Sequence, residues 1–154
     1  MLWAAPPASA TVSGASLSVD RHTATAGTLL TISLSLTNTE STDINFAYEF
    51  IQPTWPENEA LNTYAIVSCT GDTVDCTHTD KQASLHLTAP IPPGATRTVT
   101  LGVQIASDLS CSGQRNLNWA PYIYYEFDNA TQVKDEIWMY GLPSLQTTIS
   151  CPVP

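Results

Sequence analysis

Apolar and hydroxyl-bearing residues take turns along much of this chain. Leu30, Ile32, Leu34 and Leu36 alternate with Thr31, Ser33, Ser35 and Thr37, and the pattern stops at Asn38-Thr39-Glu40-Ser41. A period of two puts one set of side chains on each face of a strand, so this stretch predicts a half-buried β-strand. Ala15, Leu17 and Val19 repeat the pattern, as do Leu85 and Leu87 in "ASLHLTA", and Val99, Leu101, Val103 and Ile105 further on. "INFAYEFIQP" (44–53) predicts a third strand, ended by Pro53 and Pro56, because proline cannot donate to a ladder. "LNTYAIVSC" predicts a fourth that runs into a loop from Thr70 to Thr77, and "IPPGAT" supplies a Pro93-Gly94 turn. A short strand is expected around Leu145 to Ile149. No stretch sustains the 3.6-residue period of an amphipathic helix. The expectation is an all-β, immunoglobulin-like antiparallel β-sandwich of about seven to nine strands with an added C-terminal hairpin.

That hairpin is "PYIYYEFDNATQVKDEIWMY". A three-residue loop at Asn129, Ala130 and Thr131 sets Phe127 against Val133, Tyr125 against Asp135 and Ile123 against Ile137. On the other face Glu126 meets Lys134, Tyr124 meets Glu136 and Tyr122 meets Trp138. This register gathers the apolar residues on one side and pairs opposite charges across the strands.

Composition agrees with strands and turns. Ser and Thr are 35 of 154 residues, and charged residues are only 12%, against a usual share of roughly 25%. The net charge is −9 with five Lys or Arg. That field repels phosphates, so nucleic acid and anionic membrane surfaces are not expected partners. No apolar run approaches the ~20 residues of a membrane helix. "MLWAAPPASA" has no basic n-region and too short an apolar run for a complete secretory leader. Residues 1–12, rich in Ala and Pro, predict an extended arm; residues 13–154 predict one domain.

The cysteines are Cys69, Cys76, Cys111 and Cys151, and four allow three pairings. The pairing adopted is Cys69–Cys76, clipping a short loop, with Cys111–Cys151 tying down the tail. By chain entropy these bridges contribute roughly 2.5 and 4 kcal/mol. An even cysteine count with an acidic, hydroxyl-rich composition favours an extracellular or cell-surface setting.

"TLLTISLSLTNTESTDINFAYEFIQP", "CTGDTVDC" and "APIPPGATRTVTLGVQI" together resemble the conserved repeat domain of bacterial cell-surface proteins. Those are immunoglobulin-like, adhesion-type β-sandwiches, often in tandem. The resemblance spans roughly residues 15–128 and carries over no catalytic residues. It implies a structural, adhesive or protein-interaction role. The Trp/Pro loop 53–60, the tyrosine-rich hairpin and the Cys-bearing tail depart from it.

No constellation singles out catalysis. His86 alternates with Ser84 and Thr88 on the outward side of its strand, His22 lies in a turn, and no Gly-x-Ser-x-Gly elbow occurs. A non-enzymatic protein without cofactors is expected. Cys69, Cys76 and His78 stand too far apart for a usual zinc pattern. The acids from Asp72 to Asp80 could offer oxygens to a structural Ca²⁺, without a regular ligand ladder. Five aromatics are candidates for ligand or interface contacts: Trp55 in its proline loop, and Tyr122, Tyr124, Trp138 and Tyr140 on the hairpin. Aromatic rings pack on sugar CH faces and are enriched at protein interfaces. The candidate partners are therefore other protein domains, copies of the same chain, or glycans. Three functions follow from that: an adhesive or interaction module, a filament subunit that donates its N-terminal arm as a strand, or a carbohydrate-binding module. Asn129-Ala130-Thr131 is a glycosylation sequon at the hairpin tip.

Overall fold

A computed structural model describes residues 9–12, 14–53, 63–109, 114–136 and 145–151. Among these the chain forms thirteen strands and no α-helix. They are β1 (Ser9–Val12), β2 (Ala15–Val19), β3 (Thr23–Ala24), β4 (Leu29–Thr37), β5 (Ile44–Pro53), β6 (Tyr64–Gly71) and β7 (Thr73–His78). The rest are β8 (Ala83–Leu87), β9 (Thr96–Ile105), β10 (Gln114–Leu117), β11 (Trp119–Phe127), β12 (Gln132–Glu136) and β13 (Thr147–Ser150). The count exceeds the expected seven to nine because short strands such as β3 and β10 carry no readable alternation.

Two five-stranded antiparallel sheets make the sandwich, ordered β1-β2-β4-β9-β6 and β12-β11-β5-β8-β7. A small sheet, β10-β13-β3, adds a parallel β13–β3 pair. Within the Ala/Pro-rich arm, Ser9–Val12 pair antiparallel with β2 of the same chain.

Alternation makes the core. Leu30, Ile32, Leu34 and Leu36 are at most 1% exposed, beside equally buried Val99, Leu101, Val103 and Ile105 of β9. The second sheet contributes Ile44, Ala47, Ile51, Leu85, Leu87 and Ile123. Each fully buried Leu, Ile or Val side chain stabilises by about 1.5–3 kcal/mol. Trp119 is fully buried, with the Tyr64 ring edge-on to it at 5.5 Å. On the outside, the first sheet presents hydroxyls: Ser35 and Thr98 bond each other at 2.8 Å, and Thr37 and Thr96 do so at 2.7 Å.

The opening strand stops at Asn38 for a structural reason. Asn38 is buried, and its amide donates to the carbonyls of Thr42 and Ile91 while its Oδ1 accepts from the Glu40 N–H. The side chain thus satisfies turn backbone that would otherwise be stranded in the interior.

Cys69 and Cys76 are disulfide-bonded, as expected. The bridge links β6 of one sheet to β7 of the other. The segment between them does not form the expected loop: β6 and β7 are both strands, joined at Asp72. Cys151 is buried and disulfide-bonded; Cys111 lies outside the described residues.

The hairpin register is shifted by one residue from the expected one. Tyr125 stands opposite Lys134, Glu126 opposite Val133 and Phe127 opposite Gln132, around a four-residue turn from Asp128 to Thr131. Asp128, Asn129 and Ala130 all take positive φ (54°, 53° and 61°). The shift turns Val133 outward and Lys134 toward the sandwich, where Glu40 receives its charge at 3.1 Å. Nor is the hairpin an appendage, since β11 pairs with β5 along its whole length.

Candidate interaction face

The outward side of β5, β8 and β11 carries an aromatic strip. Register sets Tyr124 beside Tyr48, Tyr48 beside His86, and His86 beside Asp75, in one row across four strands. Tyr122, Phe50 and Ser84 form the next row, and Glu126 with Phe46 the row on the other side. Side chains opposite one another share a face, so the rows stack into a strip.

A bulge explains why Phe46 belongs to it. Phe127 pairs with Ile44 and Glu126 with Phe46, which leaves Asn45 without an opposite residue. Strict alternation from Ile44 would bury Phe46. The extra residue lets Ile44 and Ala47 both face the core while Phe46 stays 38% exposed. Bulges commonly re-aim a side chain in this way.

The rings hold one another. Phe46 lies 5.3 Å from His86 and 6.0 Å from Tyr124; Tyr48 lies 5.4 Å from His86 and 6.3 Å from Tyr122. The planes meet at 49° to 68°, so the surface is ridged, not a flat platform. Polar groups edge the strip. The Tyr124 hydroxyl donates to Glu126 at 2.8 Å, the Tyr48 hydroxyl donates to Ser84 at 3.3 Å, and His86 Nδ1 lies 3.5 Å from Asp75.

Beneath the strip lies an unusual residue. Glu49 follows Tyr48 on β5, points into the sandwich and is fully buried. Its strand neighbours are Leu85 and Ile123, and among the described residues neither carboxyl oxygen has a hydrogen-bond partner. Burial pushes its carboxyl up to about 8, so it is held in the neutral acid form at neutral pH. Desolvation likewise pushes the Tyr64 hydroxyl up, and it lowers Lys81, whose ammonium sits 4.3 Å over the Tyr64 ring.

Of the sequence candidates, Tyr122 and Tyr124 lie on this face; Trp55, Trp138 and Tyr140 lie outside the described residues. Phe46, Tyr48 and His86 were missed as a group. The signal existed in the pairing of "INFAYEF" with "YIYYEF", but strand pairing is not written in either segment alone. His86 does face outward, yet between two rings and an acid. Asn129 is exposed at the hairpin tip. The Asp72–Asp80 acids diverge: Asp72 accepts the Thr98 N–H at 2.9 Å while Asp75 turns to His86. Among the described residues no three potential metal ligands gather. His22 meets the Gln146 carbonyl at 3.0 Å.

No family model matches the sequence, and no curated protein matches it significantly. Solved structures do match the fold. A cohesin module from a Clostridium perfringens family 33 glycoside hydrolase aligns over 93% of this chain and 100% of its own, with a TM-score of 0.58 at 8% identity. The cohesin of a type I cohesin–dockerin complex from Clostridium thermocellum aligns over 87% and 92%, with a TM-score of 0.56 at 10% identity. A non-cellulosomal cohesin from the archaeon Archaeoglobus fulgidus aligns over 87% and 88%, with a TM-score of 0.52 at 10% identity. The chain has a cohesin-like β-sandwich fold.

Proposed function

We propose that this chain is a non-enzymatic protein-binding module of an extracellular or surface-displayed protein, and that it docks a partner domain on the outward face of β5, β8 and β11. The observation that carries this is the aromatic strip, centred on Tyr48 and His86, with Phe46 exposed at its end. Aromatic side chains anchor interfaces because they bury much area at little conformational cost. The likeness to cohesins, one of them solved with its dockerin, supports a modular partner. The disulfides support an oxidising compartment. The resemblance to surface repeat domains points the same way.

Inclined rings favour a protein over a flat polysaccharide, which would need rings lying in one plane. Filament formation through the arm finds less support, because Ser9–Val12 already pair within the chain. The test is affinity capture from the extracellular fraction of the source, comparing wild type with a Tyr48→Ala/Phe46→Ala variant and a Ser33→Ala/Thr100→Ala variant. A partner retained by wild type and the hydroxyl-face variant, and lost by the strip variant, is the expected result. Equal capture by all three removes the strip from the function. Glycan binding lost with the strip would replace the protein partner with a sugar.

A further inference from the structure

The strip has a charge pattern that narrows its partner, given the docking function proposed above. Glu126 stands beside Phe46 on the β11 side, fixed by the Tyr124 hydroxyl. Asp75 stands on the β7 side, next to His86, and its side chain is 61% exposed. His86 and Tyr124 hold the Phe46 ring from the two sides.

All five cations of the chain are elsewhere. Lys134 turns inward to Glu40, and Lys81 sits on Tyr64. Arg97 is spent on the Thr88 and Pro90 carbonyls. Arg21 follows β2, and Arg115 belongs to β10 in the small sheet. No lysine or arginine therefore shares the outward face of the second sheet, on a chain of net charge −9.

An aromatic ring with one carboxylate beside it and a second beyond His86 is chemistry for a cation. The ring quadrupole attracts an ammonium or guanidinium, the more so where contact excludes water. Carboxylates add Coulomb attraction and, for guanidinium, paired hydrogen bonds. An acidic partner would meet repulsion from both flanks. We infer that the partner's docking element is basic and seats an arginine or lysine side chain on Phe46, between Glu126 and Asp75.

The probe is a hexa-arginine peptide, titrated into the isotopically labelled chain and followed by amide chemical shifts at low and high salt. Shifts are expected along β5, β8 and β11. The Glu126→Gln/Asp75→Asn variant is expected to weaken binding about fivefold, and Phe46→Leu, which keeps apolar bulk but removes the ring, about threefold. An Asp80→Asn/Asp108→Asn variant removes the same charge elsewhere and is expected to leave binding within about twofold of wild type. Equal weakening by both double variants, or full binding by Phe46→Leu, overturns the inference.

A second arm separates it from the docking function. Small domains are selected from a displayed library on the wild-type chain. Binders that need Tyr48 and carry Arg or Lys at their contact positions support both. Binders that need Tyr48 but tolerate Glu126→Gln/Asp75→Asn keep the docking face and overturn the basic partner. Binders indifferent to both sets overturn both.

Discussion

Lys134 stands opposite Tyr125 across the hairpin, and both reach the same carboxylate oxygen, Oε1 of Glu40. The Tyr125 hydroxyl donates to it at 2.7 Å and the Lys134 ammonium lies at 3.1 Å. The hydrogen bond from the Tyr125 hydroxyl is the largest single cause that holds Glu40 below the usual carboxylate range; the Lys134 ammonium adds a hydrogen bond and its charge. Tyr125→Phe is expected to cost about 1 kcal/mol in urea unfolding. Lys134→Met, at a partly exposed ion pair, is expected to cost less than about 1 kcal/mol. A larger loss for Lys134→Met than for Tyr125→Phe would reverse that order.

Glu49 should make the protein alkali-sensitive. Its folded carboxyl is pushed up to about 8 from the ordinary 4.5, so the unfolded chain releases its proton first. The stability is whole below pH 4.5 and drains away as pH rises toward 8, by up to roughly tenfold in the folding equilibrium per pH unit. Glu40 works oppositely: its stabilisation holds above the usual carboxylate range and is lost as pH falls. Chemical unfolding across pH should therefore show a maximum at about pH 5. Glu49→Met should gain on the order of 3 kcal/mol at pH 8, with the gain shrinking toward pH 5. A pH-independent gain would show that Glu49 does not titrate between those limits.

Removing the cross-sheet staple should be felt globally. Cys69→Ala/Cys76→Ala is expected to lower stability by about 2.5 kcal/mol with the fold retained, as measured by denaturant unfolding. Circular dichroism should still report strand. A variant as stable as wild type would mean that the unfolded chain gains no freedom from losing this bridge.

Gly71 occupies a conformation other residues resist. Its φ is 123°, and a Cβ there would be driven into the Thr98 carbonyl oxygen. Backbone, not a flexible side chain, stands in the way. Gly71→Ala is expected to cost more than about 1 kcal/mol by thermal or chemical unfolding. An unchanged midpoint would show that the β6–β7 corner can relax.

Much of this architecture was legible in the chain. Period-two runs such as Leu30 to Leu36 located strands and named their buried sides, because burial on one face leaves a trace at every second residue. The Cys69–Cys76 bridge was legible too. What escaped was whatever depends on pairing between distant segments. The hairpin slipped by one place because a charge assumed to face water, Lys134, has an acid waiting on the core side in a loop some ninety residues earlier. Phe46 escaped because a bulge changes parity within a strand. Glu49 escaped because alternation in "FAYEFI" marks its side of the strand as inward only once the aromatics flanking it are known to face out.

The hydroxyl side of the first sheet gives the molecule a front and a back. Where Ser35 meets Thr98 and Thr37 meets Thr96, the hydroxyls satisfy each other, and these four side chains carry neither ring nor charge. Under the docking proposed on the aromatic strip, a module of this kind would have a valency of one. Copies strung along a longer chain would then each capture a single guest on the aromatic side.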